Sequence, residues 1–244
     1  MLLIVDGDPV VFRSSWNRNS LEETRERYEE MIDDIAGRCF ADEIKVAVWG
    51  DNNFRLDFYN DYKNTPNRIK SKERNLYFMD MRHELVADGK VTPADGMEAD
   101  DLVRIWAEEA RAEGKDFVIA SIDKDLLCIE GAHYLIHRDE FKHMDKETAD
   151  EHYWTQVLTG DSVDNIQGIR GIGPKKAQKI LAGAKFGERK QRVIDAYYEH
   201  YGSNWKEKMV HCGTLVHIMP TRDGVFSLDE KDAPTEVLDG EESS

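Results

Sequence analysis

A doubly wound α/β fold with a mostly parallel sheet and helices on both faces is the architecture this sequence predicts. Three observations predict it. The runs LLIVD (2–6), IKVAVWGD (44–51) and DFVIASID (116–123) are rich in β-branched residues and read as strands. Each is apolar almost continuously rather than at alternate positions, as strands of a sheet covered on both faces are. Helical spacing lies between them, and strand–helix alternation is the signature of the α/β class.

The elements follow in chain order. The first strand ends on Asp6, with Asp8 and Pro9 close behind. Asp8 before Pro9 reads first as a helix N-cap followed by its first residue. Residues 20–40 place Leu21, Tyr28, Met31, Ile32 and Ile35 at roughly helical spacing, and 98–113 bring Leu102, Ile105, Trp106 and Ala110 to one stripe. Between the second strand and that helix lies a long insertion, 52–97, crowded with basic and aromatic residues. Residues 146–159 and 188–201 are helical in pattern, so the second half is mainly α. The expected division is a core at 1–145, a helical region at 146–219, and an acidic, flexible tail at 220–244.

Bulk properties narrow the function classes. At 244 residues and 40% hydrophobic content the chain can bury a sizeable core. No apolar run reaches the roughly 18–20 residues needed to cross a bilayer, and the N-terminus lacks a signal-peptide pattern. Three cysteines, Cys39, Cys128 and Cys212, share no metal-like spacing and read as reduced thiols of a cytoplasmic protein. The net charge of −16 argues against a polyanionic partner. Its distribution weakens that objection, because residues 161–192 carry eight basic and three acidic side chains while 221–244 carry two basic and eight acidic. A basic face can dock nucleic acid whatever the total charge.

All three strands lead into aspartates: Asp6, Asp51, and Asp123 with Asp125. In an open parallel sheet the carboxyl ends of the strands share one edge, where ligands bind. GMEADDL (96–102), at a helix start, adds Glu98, Asp100 and Asp101, and GDSVDN (160–165) adds Asp161 and Asp164. Taken singly, such acids are turn residues or complement a helix N-terminus. Taken together they repel one another unless cations or protons compensate. All-oxygen donors suit Mg²⁺ or Mn²⁺. A haloacid dehalogenase-type phosphatase, with Asp6 as nucleophile, also begins with a strand and Asp-x-Asp. Its later motifs run in another order, since here Asp100 and Asp101 precede the strand ending SID (121–123).

The stretch DNIQGIRGIGPKKAQKIL (164–181) resembles the helix–hairpin–helix family of DNA binders that show no sequence preference. Gly171 and Gly173 permit positive φ and close approach to a phosphate. Pro174 sits where a helix begins, and that helix's free amides, with Lys175, Lys176 and Lys179, face an anion. Ile169 and Ile172 anchor the turn. Contacts of this kind go to the phosphodiester backbone.

Seven stretches in order, VDGD (5–8), WGDNNFR (49–55), DYKNTPNR (61–68), MEADD (97–101), SIDKD (121–125), GDSVDN (160–165) and GIRGIGPKKA (168–177), resemble the 5′-nuclease, or flap endonuclease, superfamily. That family includes bacteriophage 5′–3′ exonucleases and the 5′-nuclease domain of bacterial DNA polymerase I, and the resemblance covers roughly residues 1–200. It implies a PIN-like core and two Mg²⁺ (or Mn²⁺) ions. Asp6, Asp51, Glu98 and Asp100 match the first ion's ligands, Asp123, Asp125, Asp161 and Asp164 the second's, and Asp101 a further acid. It also implies K⁺ at the hairpin through the carbonyls of Ile169 and Ile172. The 52–97 insertion corresponds to a helical arch or gateway over the metals. Tyr62 would bind DNA there, and Lys63 and Arg68 would stabilise charge on the phosphate. Thr65-Pro66 departs from a continuous arch helix. The implied partner is DNA with 5′ ends, flaps or nicks, RNA–DNA hybrids included, acted on by a monomer in a bacterial or phage-infected cell. A structure-specific DNA-binding module without catalysis is the alternative. The complete acid set distinguishes the two, because a pure binder gains nothing from carboxylates facing phosphates.

Overall fold

The computed structural model describes residues 1–65 and 75–236. The chain divides into two compact units, residues 1–144 with 218–223 and residues 145–217 with 224–244.

The first unit is built on a six-stranded sheet: β1 (Leu2–Asp6), β2 (Glu43–Trp49), β3 (Thr92–Ala94), β4 (Phe117–Ser121), β5 (Gly131–Leu135) and β6 (Glu140–Met144). Its order is β3-β2-β1-β4-β5-β6. Every pairing is parallel except β5 with β6. Its helices are α1 (Asp8–Ser15), α2 (Leu21–Arg38), α3 (Phe54–Phe58), α4 (Phe78–Ala87) and α5 (Ala99–Ala112).

Alternation along the strands divides the core between two faces. Leu3, Val5, Val46, Val48, Val118 and Ala120 form a cluster with Val10 and Val11 of α1, Tyr28 and Ile35 of α2, and Met81 and Leu85 of α4. The opposite face is covered by α5, which packs against β1, β2, β3 and β4, and there Lys45 reaches over the Trp106 ring at 5.5 Å. Leu3, Ile4 and Ile119 are fully buried, each contributing about 2 kcal/mol relative to exposure. The predicted α/β class is the one observed. The elements of this unit not read from the sequence are β3, β5, β6, α3 and α4. Strand β6 shows why: Glu140 to Lys142 of this edge strand are exposed, so no apolar run marks it.

The second unit contains α6 (Lys146–Thr159), the two-stranded ladder of β7 (Gly160–Asp161) and β8 (Ile166–Gln167), then α7 (Pro174–Leu181), α8 (Arg189–Tyr201) and α9 (Trp205–Val216). Asp145 caps α6 by accepting from the Thr148 N–H at 2.8 Å. Val157, Leu158, Ala177, Val193, Tyr197, Met209 and Cys212 are buried, and the Tyr197 hydroxyl donates to the Val157 carbonyl at 2.7 Å. The expected flexible tail differs up to residue 236. Asp232 pairs with Lys190 at 2.5 Å, Gln191 donates to the Ala233 carbonyl at 2.9 Å, and the Thr235 N–H donates to Asp195 at 2.8 Å. The ring of Phe226 sits 6.1 Å from His217. One aromatic and paired charges hold a segment whose composition alone reads as solvated. Residues 237–244 lie outside the described residues.

Candidate metal centre and nucleic-acid hairpin

Strand β1 lies between β2 and β4, so the connections leave it in opposite directions and open a crevice at its carboxyl end. Asp6 is the last residue of β1, on the face covered by α5. It is buried, and its Oδ2 accepts from the Ser121 hydroxyl at 2.8 Å. Ser121 in turn accepts from the Asp123 N–H at 2.8 Å, and Asp123 accepts from the Asp125 N–H at 2.8 Å. The turn after β4 is thereby folded back toward β1.

Burial pushes the Asp6 carboxyl up to about 7, and the nearby Asp8 and Asp123 add to the rise against the Ser121 hydrogen bond. Burial likewise raises Asp8 to about 6, opposed by the Trp49 N–H, Arg82 and Lys63. Asp100, in the first turn of α5, is raised well above the ordinary carboxylate range by burial, then by Asp6 and Asp123. Four carboxyl groups from β1, α1, α5 and the β4 turn therefore share one poorly solvated edge. Asp8 Oδ1 is buried and has no hydrogen-bond partner among the described residues. That donor set fits a divalent cation held by oxygen, although among the described residues no three acid, His or Cys side chains are drawn together tightly enough to hold an ion as they stand.

Other expected ligands are placed differently. Helix α5 begins at Ala99, with Glu98 as its N-cap in extended conformation, so Glu98 leaves the helical spiral. Its carboxylate accepts from Asn53 at 3.0 Å, the Tyr62 hydroxyl at 2.8 Å and Lys63 Nζ at 2.6 Å. Burial opposes the charge, yet Lys63 and Arg55 hold Glu98 down at about 2. Asp101 does not face the acid cluster. It is fully buried, takes a two-pronged bond from Arg55 at 2.6 and 2.9 Å, and accepts from the N–H groups of Glu98 at 3.0 Å and Met219 at 2.8 Å. The expectation of Asp101 as a ligand is corrected on that ground, since both oxygens are occupied by structural donors. Asp51 lies two residues beyond β2 with an exposed side chain, and its N–H donates to Asp95 at 3.1 Å.

Tyr62 is also corrected. It is 3% exposed with its hydroxyl on Glu98, so its ring face is not offered to a base. Lys63 has φ of 56° and stays on Glu98. Arg68 lies outside the described residues. A cleft of about 490 Å³ opens beside Asp123, with Lys124, Arg138 and Lys142 on its walls.

In the second unit, Asp161 ends β7 and accepts from the Val163 N–H at 2.7 Å, and Asp164 lies half-buried in the same turn. Gly171 has φ of +81°, as a hairpin turn requires. Gly173 does not: it is the extended N-cap of α7, with φ of −102°, because Pro174 already supplies the helix start. Lys175 and Lys179 are exposed on α7. Lys176 folds back to donate to the Gly171 carbonyl at 2.8 Å. The Ile169 carbonyl accepts from the Ile172 N–H at 3.0 Å. Sequence reasoning missed Asp8, Ser121, Asn53, Arg55 and Arg82 as site residues. Of these, Asn53 and Arg55 stand in the stretch WGDNNFR, and Asp8 in VDGD.

A mostly parallel sheet with this order and crowded acids at its carboxyl edge defines a doubly wound α/β protein with a candidate metal site. The family described as 5′-3′ exonuclease, N-terminal resolvase-like domain, matches residues 1–154, and the chain belongs to it. It is 40% identical over 161 residues to DNA polymerase I of Treponema pallidum, covering 56% of this chain and 15% of that protein. It is 26% identical over 207 residues to a 5′-3′ exonuclease of Mycoplasmopsis pulmonis, covering 77% of this chain and 68% of that one. The chain thus spans about 14–15% of the length of the DNA polymerase I relatives first matched. The bacteriophage T5 flap endonuclease, solved with DNA and metal ions, superimposes with a TM-score of 0.69 at 21% identity, covering 90% of this chain and 89% of that chain. At that identity the likeness establishes a shared fold. No helix among the described residues is long and apolar enough to cross a membrane.

Proposed function

We propose that the chain is a Mg²⁺- or Mn²⁺-dependent 5′-nuclease that hydrolyses DNA phosphodiesters at 5′ ends, flaps or nicks in replication or repair, leaving 5′-phosphate products. The observation that carries this reading is the crowding of Asp6, Asp8, Asp100 and Asp123 at one poorly solvated edge, where their mutual repulsion calls for a cation. Asp6, Asp51, Glu98 and Asp100 are the residues that would hold a first ion. Asp123, Asp125, Asp161 and Asp164 are assigned to a second ion on their resemblance in sequence alone. Such ions, when bound, lower the pKa of a coordinated water and stabilise a leaving oxygen.

The chain's own residues supply the rest. Lys63 and Arg68 are assigned to the phosphate on their resemblance in sequence. Both would stabilise charge on the non-bridging oxygens. Lys124, Arg138 and Lys142 offer a basic wall to the strand next to Asp123. The Gly171 turn and the start of α7 present Lys175 and Lys179 on an exposed surface, suited to a duplex backbone. The Ile169 and Ile172 carbonyls are assigned to K⁺ in the same hairpin.

The test is cleavage of 5′- and 3′-labelled flap, nicked, blunt and RNA–DNA duplexes, with Mg²⁺ or with chelator, and sizing of the fragments. The expected result is metal-dependent release from the 5′ side. Binding without cleavage in every metal tried would leave a DNA-binding module instead.

A further inference from the structure

We propose that Asp8 is a further positioning residue of the metal centre: one carboxylate oxygen fixes the backbone that presents Asp51, and the other accepts a hydrogen bond from water on the bound ion. This rests on the reading that an ion sits among Asp6, Asp51 and Asp100.

The helix start does not account for Asp8. The N-cap of α1 is Gly7, and Asp8 is already inside the helix. Its Oδ2 instead crosses to β2 and accepts from the Trp49 N–H at 2.9 Å. The carbonyl of the same residue receives Arg82, through Nε at 3.1 Å and also through Nη2. The Arg82 guanidinium lies 3.9 Å from the Trp49 ring centre. Both backbone polar groups of Trp49 are therefore held by buried or half-buried charges.

The next two residues are held as firmly. A Cβ on Gly50 would come within 2.5 Å of the Ala94 carbonyl carbon, so the chain passes β3 at a distance only glycine permits. The Asp51 N–H donates to Asp95 at 3.1 Å, and its carbonyl accepts from the Gly96 N–H at 2.8 Å. Three consecutive residues are pinned, while the Asp51 side chain alone is left exposed. That is how a backbone aims a carboxylate.

The second oxygen of Asp8 has a different task. Oδ1 is shielded from solvent and has no hydrogen-bond partner among the described residues. Asp8 stands two positions after Asp6, at the turn from β1 into α1, and feels the charges of Asp6 and Glu98 as well as those of Arg82 and Lys63. With no group among the described residues donating to Oδ1, water at this edge is the donor that remains. Mg²⁺ gives up its hydration reluctantly and keeps several waters, and groups that accept from a metal's bound waters tune its affinity and orientation.

The experiment uses the full chain and Mn²⁺ alone, followed by isothermal titration calorimetry, with Asp8→Asn as the principal variant. The amide retains an acceptor for Trp49 but offers water a weaker, neutral partner. The expected result is Mn²⁺ affinity weakened roughly 10–100-fold, persisting in high salt, with duplex binding in metal-free buffer retained. Cleavage should recover as Mn²⁺ is raised, so that the metal concentration at half-maximal rate moves while kcat is kept. Asp8→Ser, whose shorter side chain gives up the Trp49 bond as well, is measured beside it and must show at least the same loss if the amide variant does not fold. Wild-type Mn²⁺ affinity in a folded Asp8 variant overturns this inference alone. A wild-type chain that binds no Mn²⁺ and cuts nothing overturns the metal-centre reading with it.

Discussion

Arg55 and Asp101 form a fully enclosed ion pair, joined by hydrogen bonds of 2.6 and 2.9 Å. Their side chains are 2% and 0% exposed. The pair connects α3, near the start of the 52–97 insertion, to the first turn of α5, which carries Asp100 to the acid cluster. Breaking a buried pair from one side leaves a charge without compensation and costs about 3–5 kcal/mol. Arg55→Met and Asp101→Asn should each lower the stability read from urea unfolding by that amount. Asp101→Leu should cost more than Arg55→Met, because the Glu98 and Met219 N–H groups also lose their acceptor. If Asp101→Asn weakened Mn²⁺ binding while leaving the urea midpoint in place, Asp101 would return to the ligand set.

The acid cluster sets an unusual pH dependence for the metal-free chain. Asp6 is raised to about 7 and Asp8 to about 6, and Asp100 is raised as well. In the unfolded chain all three titrate near 4. Between about pH 4 and 7 the folded state therefore holds more protons than the unfolded one, and stability falls as pH rises across that window. Glu98, held at about 2, works the other way, with a contribution that is lost only in strong acid. Metal-free protein should melt higher at mildly acidic than at neutral pH, and added Mg²⁺ or Mn²⁺ should erase the difference. A thermal scan in chelator that rises toward neutral pH would contradict the crowding.

The α/β class of the first unit was legible because its central strands are buried on both faces. Leu2–Asp6 and Phe117–Ser121 are almost wholly apolar, so no alternation is needed to find them. The edges were not legible: β3 has three residues, and β6 faces solvent with Phe141 and Lys142. At the site, the residue types that repel one another announced the cluster, but which oxygen goes where depended on long-range partners. Residue type alone does not tell Asp100 from Asp101. Arg55, nearly fifty positions away in sequence, removes Asp101 from the cluster, and the cap at Glu98 turns Asp100 toward it. Asp8 was misread because Pro9 makes any preceding aspartate look like a cap. The segment 224–236 was misread because its anchors, Phe226 and the pairing of Asp232 with Lys190, are set by tertiary packing.

The metal-dependent reading makes a direct claim about Asp123. Its Oδ1 is held by the Asp125 N–H at 2.8 Å, so an amide in its place preserves the turn while removing charge. Asp123→Asn and Asp161→Asn should each cut flap cleavage by orders of magnitude, while DNA affinity in metal-free buffer holds or improves, since a charge that repels phosphate is gone. Gel shift and single-turnover cleavage on the same substrate read the two effects separately. Near wild-type turnover in both variants would remove these residues from the chemistry.

The hairpin separates backbone shape from charge. Gly171 sits at φ of +81° with open space around it, so Gly171→Ala meets no clash and costs only the left-handed conformation, about 1–2 kcal/mol. Gly173, extended at the start of α7, has no such demand, and Gly173→Ala should be nearly silent in folding. Both outcomes are read by urea unfolding. DNA affinity should fall with Gly171→Ala, because the Gly171 carbonyl that receives Lys176 belongs to the same turn. Lys175→Gln and Lys179→Gln should instead leave stability alone and weaken duplex binding equally for unrelated sequences. Each phosphate that is no longer neutralised lowers the slope of log affinity against log salt by about 1. A lysine variant that weakens one sequence far more than another, or leaves the salt slope unchanged, would place that lysine off the phosphate backbone.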